Sequence, residues 1–228
     1  MGLCTLVVIE RYDAIESILK TWGFDLSPDG MECLQAYVAD AKKMMPPTVE
    51  EEEVLLFQLL ILLAMPKDQI NETEVNSWMP SPERLAEMQR TNAFLRCFGF
   101  HDIMGFIGAR VYLKLGREDD AHEVARLAVL PEQKNTKLQT YIYSASIIGQ
   151  IEARRGNLDE SHAQFTVALE KSKLLTEMPM FELLAARDWK KHLLVPNGRD
   201  CSVAEVAIDA ACAKMDKTRE QLSSIIDA

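Results

Sequence analysis

An all-α fold of antiparallel helical hairpins stacked side by side is predicted by three features of the sequence. It contains an internal repeat, helix start and stop signals recur along it, and it lacks the alternating apolar and polar runs that strands require. The repeat is the strongest of the three. Residues 111–129, VYLKLGREDDAHEVARLAV, and 150–169, QIEARRGNLDESHAQFTVAL, each read as a helix, a Gly turn and a second helix. They align at an offset of forty residues, placing Gly116 with Gly156, Asp119 with Asp159, His122 with His162 and Ala128 with Ala168. One hairpin cannot bury its own apolar face, so neighbouring copies share a core.

The remaining elements come in chain order. Residues 5–22 are apolar at helical spacing and stop at Gly23. Ser27-Pro28 opens a second helix to about Met45, because proline is tolerated in a first turn, and Pro46-Pro47 ends it. Thr48 with Glu51 forms a capping box for a third helix that ends near Pro66, and the acidic run Glu50 to Glu53 suits the positive end of its dipole. The polar stretch 66–80, PKDQINETEVNSWMP, lacks a period and is read as a boundary. It divides an acidic N-terminal helical region, 1–80, from a helical-repeat domain, 81–228, which restarts at Ser81-Pro82-Glu83. Beyond the two clear units, Phe181, Leu184, Ala185, Trp189 and Leu193 mark a third hairpin with VPNGRD as its turn. Ser202 with Glu205 is expected to cap its second helix, whose outer face should be polar to close the array, and Thr218 with Gln221 to cap a last short one.

Composition agrees with a soluble globular chain. Of 228 residues, 48% are hydrophobic and 26% charged, so one large core or two small ones can be buried. The net charge of −10 is uneven: residues 1–80 carry 14 acidic and 5 basic groups, net −9, and the rest 21 and 20, net −1. Such a field repels phosphate backbones, and no basic patch studded with aromatics offsets it, which argues against nucleic-acid binding. The longest apolar run, residues 54–65, has 12 residues, against about 20 needed to cross a bilayer, so a buried helix is expected there. No signal peptide is visible, and Leu6 stands where an acylation signal wants Ser or Thr. Cys4, Cys33, Cys97, Cys201 and Cys212 are odd in number and widely spaced, as expected of reduced thiols in a cytoplasmic protein.

Signals for chemistry are thin. His101, His122, His162 and His192 form no H-E-x-x-H motif, and neither G-x-S-x-G nor a Gly-rich phosphate loop occurs. His122 and His162 hold equivalent positions, but two imidazoles fall short of the three or four ligands a stable zinc site uses. Arg187 and Asp188 are expected to face solvent while Trp189 fills the core. No catalytic residue, metal site or cofactor is expected.

The repeat resembles the tetratricopeptide repeat (TPR) over residues 101–172. In the second unit Gly149, Gly156, Phe165 and Ala168 fill its small, turn, aromatic and small positions, with Ser161 and Glu152 as departures. In the first, Ala109, Tyr112, Gly116, Ala121 and Ala128 match and Ala125 replaces an aromatic. The forty-residue offset exceeds the family's period of about 34, so the helices or the loop PEQKNTK must be longer. The resemblance implies a right-handed array with a groove lined by the first helix of each hairpin. By position that groove holds Arg110, Lys114, Tyr143, Ser146, Gln150 and Arg154. Phe106, Arg110, Ser146 and Ile147 do not reproduce the Lys and Asn clamp with which some TPR domains hold a C-terminal carboxylate. The expected function is a scaffold or adaptor that binds a protein or peptide, an acidic one given the three basic groups, with no chemistry of its own. The alternative is a regulatory sensor holding a small ligand between helices.

Overall fold

The computed structural model describes residues 17, 51–91, 101–128 and 138–227. Among them every regular element is helical and no strand occurs. In chain order the helices are α1 (Glu51–Ala64), α2 (Glu72–Trp78), α3 (Pro82–Thr91), α4 (His101–Lys114), α5 (Glu118–Ala128), α6 (Leu138–Arg154), α7 (Leu158–Ser172), α8 (Met180–Trp189), α9 (Ser202–Lys214) and α10 (Ser223–Ile226). Single 3₁₀ turns lie at Lys67–Gln69 and Glu220–Leu222. Of the helix expected at 5–22 only Ser17 is described, and it is helical; the helix expected at 28–45, the Thr48 cap, the loop PEQKNTK, Cys4, Cys33 and Cys97 lie outside the described residues. The chain divides into two compact units between Asp120 and Ala121.

In the first unit, α1 is the apolar run anticipated as a buried helix: Leu55, Leu59, Leu60, Ile61, Leu62 and Leu63 are all buried. It packs on α4, as does α3. Gly108 is where α3 comes closest, since a methyl group there would stand 2.6 Å from Leu85 Cδ1. Ser81 accepts from the Arg84 N–H at 3.3 Å, as its place before Pro82 requires. Residues 66–80 are more ordered than their polar composition suggests. Ile70, Val75 and Met79 are buried there and hold the 3₁₀ turn and α2 in place. Tyr112, fully buried, donates its hydroxyl to the Pro80 carbonyl, and burial pushes its pKa up to about 12.

In the second unit α6 packs along α7 and also against α8, α7 packs on α8, and α8 on α9. Gly149 permits the closest approach: a methyl group at this position would lie 3.0 Å from the Phe165 ring. Ser161 closes the same seam by donating its hydroxyl to the Gly149 carbonyl at 2.8 Å. Phe165 and Ser161 are fully buried, and such a phenyl ring contributes about 1.5–3 kcal/mol by leaving water.

The same helix ending recurs three times. Gly116, Gly156 and Gly198 have φ of 78°, 79° and 59°, the left-handed region that glycine enters without steric cost. Each glycine N–H bonds to the carbonyl three residues back: Gly116 to Leu113 at 3.2 Å, Gly156 to Ala153 at 3.1 Å, Gly198 to Val195 at 3.2 Å. The following N–H reaches five residues back, Arg117 to Tyr112 at 2.8 Å, Asn157 to Glu152 and Arg199 to Leu194 both at 2.9 Å. These paired bonds satisfy carbonyls that a helix end leaves orphaned. The expected turns at Gly116, Gly156 and VPNGRD are therefore present.

Three local expectations need correction. Ser202 is the first residue of α9 and does not cap it: Cys201 is the N-cap and makes no side-chain cap bond, while the Asp200 carboxylate before it accepts from the Ser202 N–H at 2.9 Å and hydroxyl at 2.7 Å, bonds that hold it below the usual carboxylate range. Glu205 is drawn instead to Lys190 at 2.7 Å and to Arg219, which depress its pKa in that order. The outer face of α9 is not polar either, for Val203 is 57% and Val206 68% exposed. The Thr218 and Gln221 cap does form, each backbone N–H donating to the other's side chain at 2.9 and 3.2 Å.

Candidate functional site

The six residues that the TPR resemblance assigns to a groove fall into two sets. Arg110 and Lys114 stand one turn apart on α4 in the first unit, and Tyr143, Ser146, Gln150 and Arg154 succeed one another along α6 in the second. Their environments differ from a solvated face. Arg110 is buried, with its guanidinium 5.2 Å from the centroid of the Phe106 ring. Lys114 donates to the carbonyls of Leu63, at 2.6 Å, and Met65, so its ammonium closes the C-terminal end of α1. Loss of hydration there lowers its pKa to about 8. Ser146 and Gln150 are buried as well. Tyr143 is half-buried, its ring 5.3 Å from that of Phe181 on α8. Of the three basic residues, only Arg154 is exposed.

The equivalent histidines both reach the helix that comes after their own. His122 Nε2 on α5 stands 3.3 Å from the Glu152 carboxylate on α6. Glu152 is buried and is held further by Arg155 at 3.1 Å and by Asn157 at 2.6 Å. His162 on α7 meets the Trp189 ring edge-on with centroids 5.1 Å apart. The two imidazoles are thus engaged in separate inter-helix contacts. No group of three or more His, Cys, Asp or Glu placed to hold a metal ion occurs among the described residues.

Arg187 and Asp188 do not face solvent as expected. Arg187 is the largest fully buried side chain among the described residues, 1% exposed, and binds the Asp188 carboxylate through Nε at 2.8 Å and through Nη2. Nothing in the local sequence distinguishes this pair from a solvated one; what buries it is the packing around α8, which is covered from Glu182 to Trp189. Beyond Trp189 the helix widens to π geometry over Lys190–Leu194, with the Val195 N–H bonded to the Lys190 carbonyl at 3.0 Å. Cys212 is buried, which pushes its thiol pKa up, as suits an inert rather than a reactive cysteine.

A cleft of about 400 Å³ lies in the second unit between the end of α7 and the exposed side of α9. Leu169, Val203, Val206 and Ala210 line its apolar part, with Lys173, Glu182 and Ser202 as polar groups. Lys173 pairs with Glu170 at 2.7 Å, and Glu182, itself buried, with Lys214. Sequence reading missed this cleft because α9 was expected to present a polar face.

No described helix is long and apolar enough to cross a membrane. The chain matches no protein-family model, no curated protein and no solved structure.

Proposed function

We propose that this chain is a TPR-like, right-handed helical-hairpin array that serves as a protein or peptide interaction module, working as a scaffold or adaptor in the cytoplasm. The single observation that carries this reading is the recurrence of one glycine-closed helix ending at Gly116, Gly156 and Gly198. Repeated hairpins of this kind share their cores with neighbours and leave extended surfaces to partners. Two features of the second unit support the TPR-like form. The seam of Gly149, Ser161 and Phe165 joins the positions where that repeat places small, small and aromatic residues. The packing of α8 on both α6 and α7 is the arrangement of a first helix against the preceding pair.

Of the groove positions Arg110, Lys114, Tyr143, Ser146, Gln150 and Arg154, this reading gives contact with the partner, an acidic protein or peptide, to Tyr143 and Arg154 on α6, because Arg110, Ser146 and Gln150 are buried and Lys114 is held on the end of α1. Arg154 is the member best suited to test it, being exposed. The experiment is affinity capture from extract of the native cell with the intact chain and with Arg154→Glu. Reversal of one exposed charge leaves the melting temperature nearly unchanged and should reduce the yield of the captured partner, most clearly at low salt. Capture of the same partners at undiminished yield would remove the groove assignment.

The apolar cleft beside α9 favours a second reading, a sensor that holds a small ligand. Its volume of about 400 Å³ falls within the range of small-molecule sites. Val206→Glu separates the two, because it obstructs the cleft and leaves α6 untouched.

A further inference from the structure

Beyond the end of α9 the chain folds back until α10 touches α8. The turn is made at Asp216, whose φ of 52° makes it the one non-glycine among the described residues in the left-handed region. Asp216 and Lys217 donate to the carbonyls of Ala213 and Cys212, both at 3.1 Å, repeating the bond pattern of the glycine turns without a glycine. Left-handed backbone is strained for a residue with a Cβ, though aspartate bears it better than most.

The segment past this turn is lightly attached. Among residues 217–227 only Ile225 is buried, with Arg219, Leu222 and Ile226 half-buried. Arg219 ties the segment to α9 by pairing with the carboxylates of Asp209 and Glu205 and donating to the Glu205 carbonyl at 3.0 Å. Its side chain is 41% exposed and that of Asp209 64%. Ion pairs open to water hold weakly and are screened by salt. A further tie is a bond of 3.4 Å from Arg187 Nη1 to the Ile225 carbonyl, near the outer limit for a hydrogen bond. Beneath the segment, by contrast, α8 is buried without interruption from Glu182 to Trp189. Segments with few buried apolar side chains open independently of the core they cover.

We propose that residues 217–227 form a strap that lifts from α8 and α9 as a unit while those helices stay folded, with Asp216 as its hinge and Arg219 as its clasp. Lifting it vacates the seat of Ile225 and releases Arg187 Nη1 from the Ile225 carbonyl. The closed state is set by an ionic clasp that solvent reaches, so ionic strength shifts the balance between closed and open.

Hydrogen exchange read by mass spectrometry on the full chain tests this. In Arg219→Ala, amides of residues 219–227 should exchange about tenfold faster while those of α8 and α9 keep their native protection. Raising salt to about 1 M should have the same effect on the unmodified chain and little on Arg219→Ala. Ile225→Ala supplies a second variant, which should open the strap and retain the salt response. The proposal is overturned if exchange in α8 and α9 rises in step with that of residues 219–227. It is equally overturned if Arg219→Ala leaves the exchange of those residues unchanged.

Discussion

Gly149 and Phe165 meet across the α6 and α7 seam so closely that the hydrogen atom of the glycine occupies the space a side chain would need. An added Cβ would lie 3.0 Å from two carbons of the ring, so the Phe165 ring, fully buried, would have to give by a few tenths of an ångström. Gly149→Ala should therefore lose stability despite replacing glycine within a helix. Overpacking costs about 1–3 kcal/mol and the gain in helix propensity returns about 1 kcal/mol, leaving a net loss of about 1 kcal/mol. Gly149→Leu should lose more. Urea denaturation of both variants measures the effect, and an Ala variant as stable as the parent would show that the seam can relax.

At Gly156 the physics is different, because nothing lies within 4 Å of a Cβ placed there and φ is 79°. The cost of a substitution is then conformational alone. Gly156→Val should destabilise by about 1–2 kcal/mol, whereas Gly156→Asn, which visits the left-handed region more readily, should lose less. Equal losses for the two would place the cost elsewhere than in the backbone.

The buried pair on α8 should respond asymmetrically. Arg187→Met leaves the Asp188 carboxylate buried without its guanidinium partner, a change that costs about 3–5 kcal/mol. Replacing both residues together, Arg187→Met with Asp188→Leu, should recover much of that loss. Denaturation midpoints of the single and double variants decide this, and a double variant no more stable than the single would show that the pair acts through other contacts.

Lys114 and Tyr112 give the first unit an alkaline stability profile with two limbs. The folded pKa of Lys114 is about 8 against an ordinary 10.5. Between those values the unfolded chain holds a proton that the folded one has released, so stability from this group rises as pH rises from 8 to 10.5. Tyr112 is shifted the other way, from 10 to about 12. Its contribution is complete below pH 10 and is lost as pH rises toward 12. Lys114→Met should flatten the rising limb and Tyr112→Phe the falling one in denaturation series across that range. A rising limb that survives in Lys114→Met would assign it to another group.

Helix positions and turns are legible in the sequence because they depend on neighbours along the chain. The glycines at 116, 156 and 198 close helical segments within a few residues of their last apolar position, and glycine enters a left-handed helix end most freely, so residue order alone places these turns. The same holds for Ser81 and for Thr218 with Gln221, whose bonds span three residues. The small residue at 149 is legible as part of the repeat, although its contact with Phe165 is not.

The burial of polar side chains was decided only by tertiary structure. Arg187 and Asp188 sit in a stretch whose spacing leaves their exposure open, and packing around α8 enclosed them. Lys114 reads as a solvated lysine until α1 sets two carbonyls against it, from residues about fifty positions earlier. Ile70, Val75 and Met79 turned a polar stretch into ordered turns, and the unanticipated valines of α9 left an apolar cleft on a face expected to be polar. Periodicity reports which face of a helix is apolar. Which element covers that face, and which charged groups are enclosed with it, depends on contacts between residues far apart in the chain, and no local pattern encodes them.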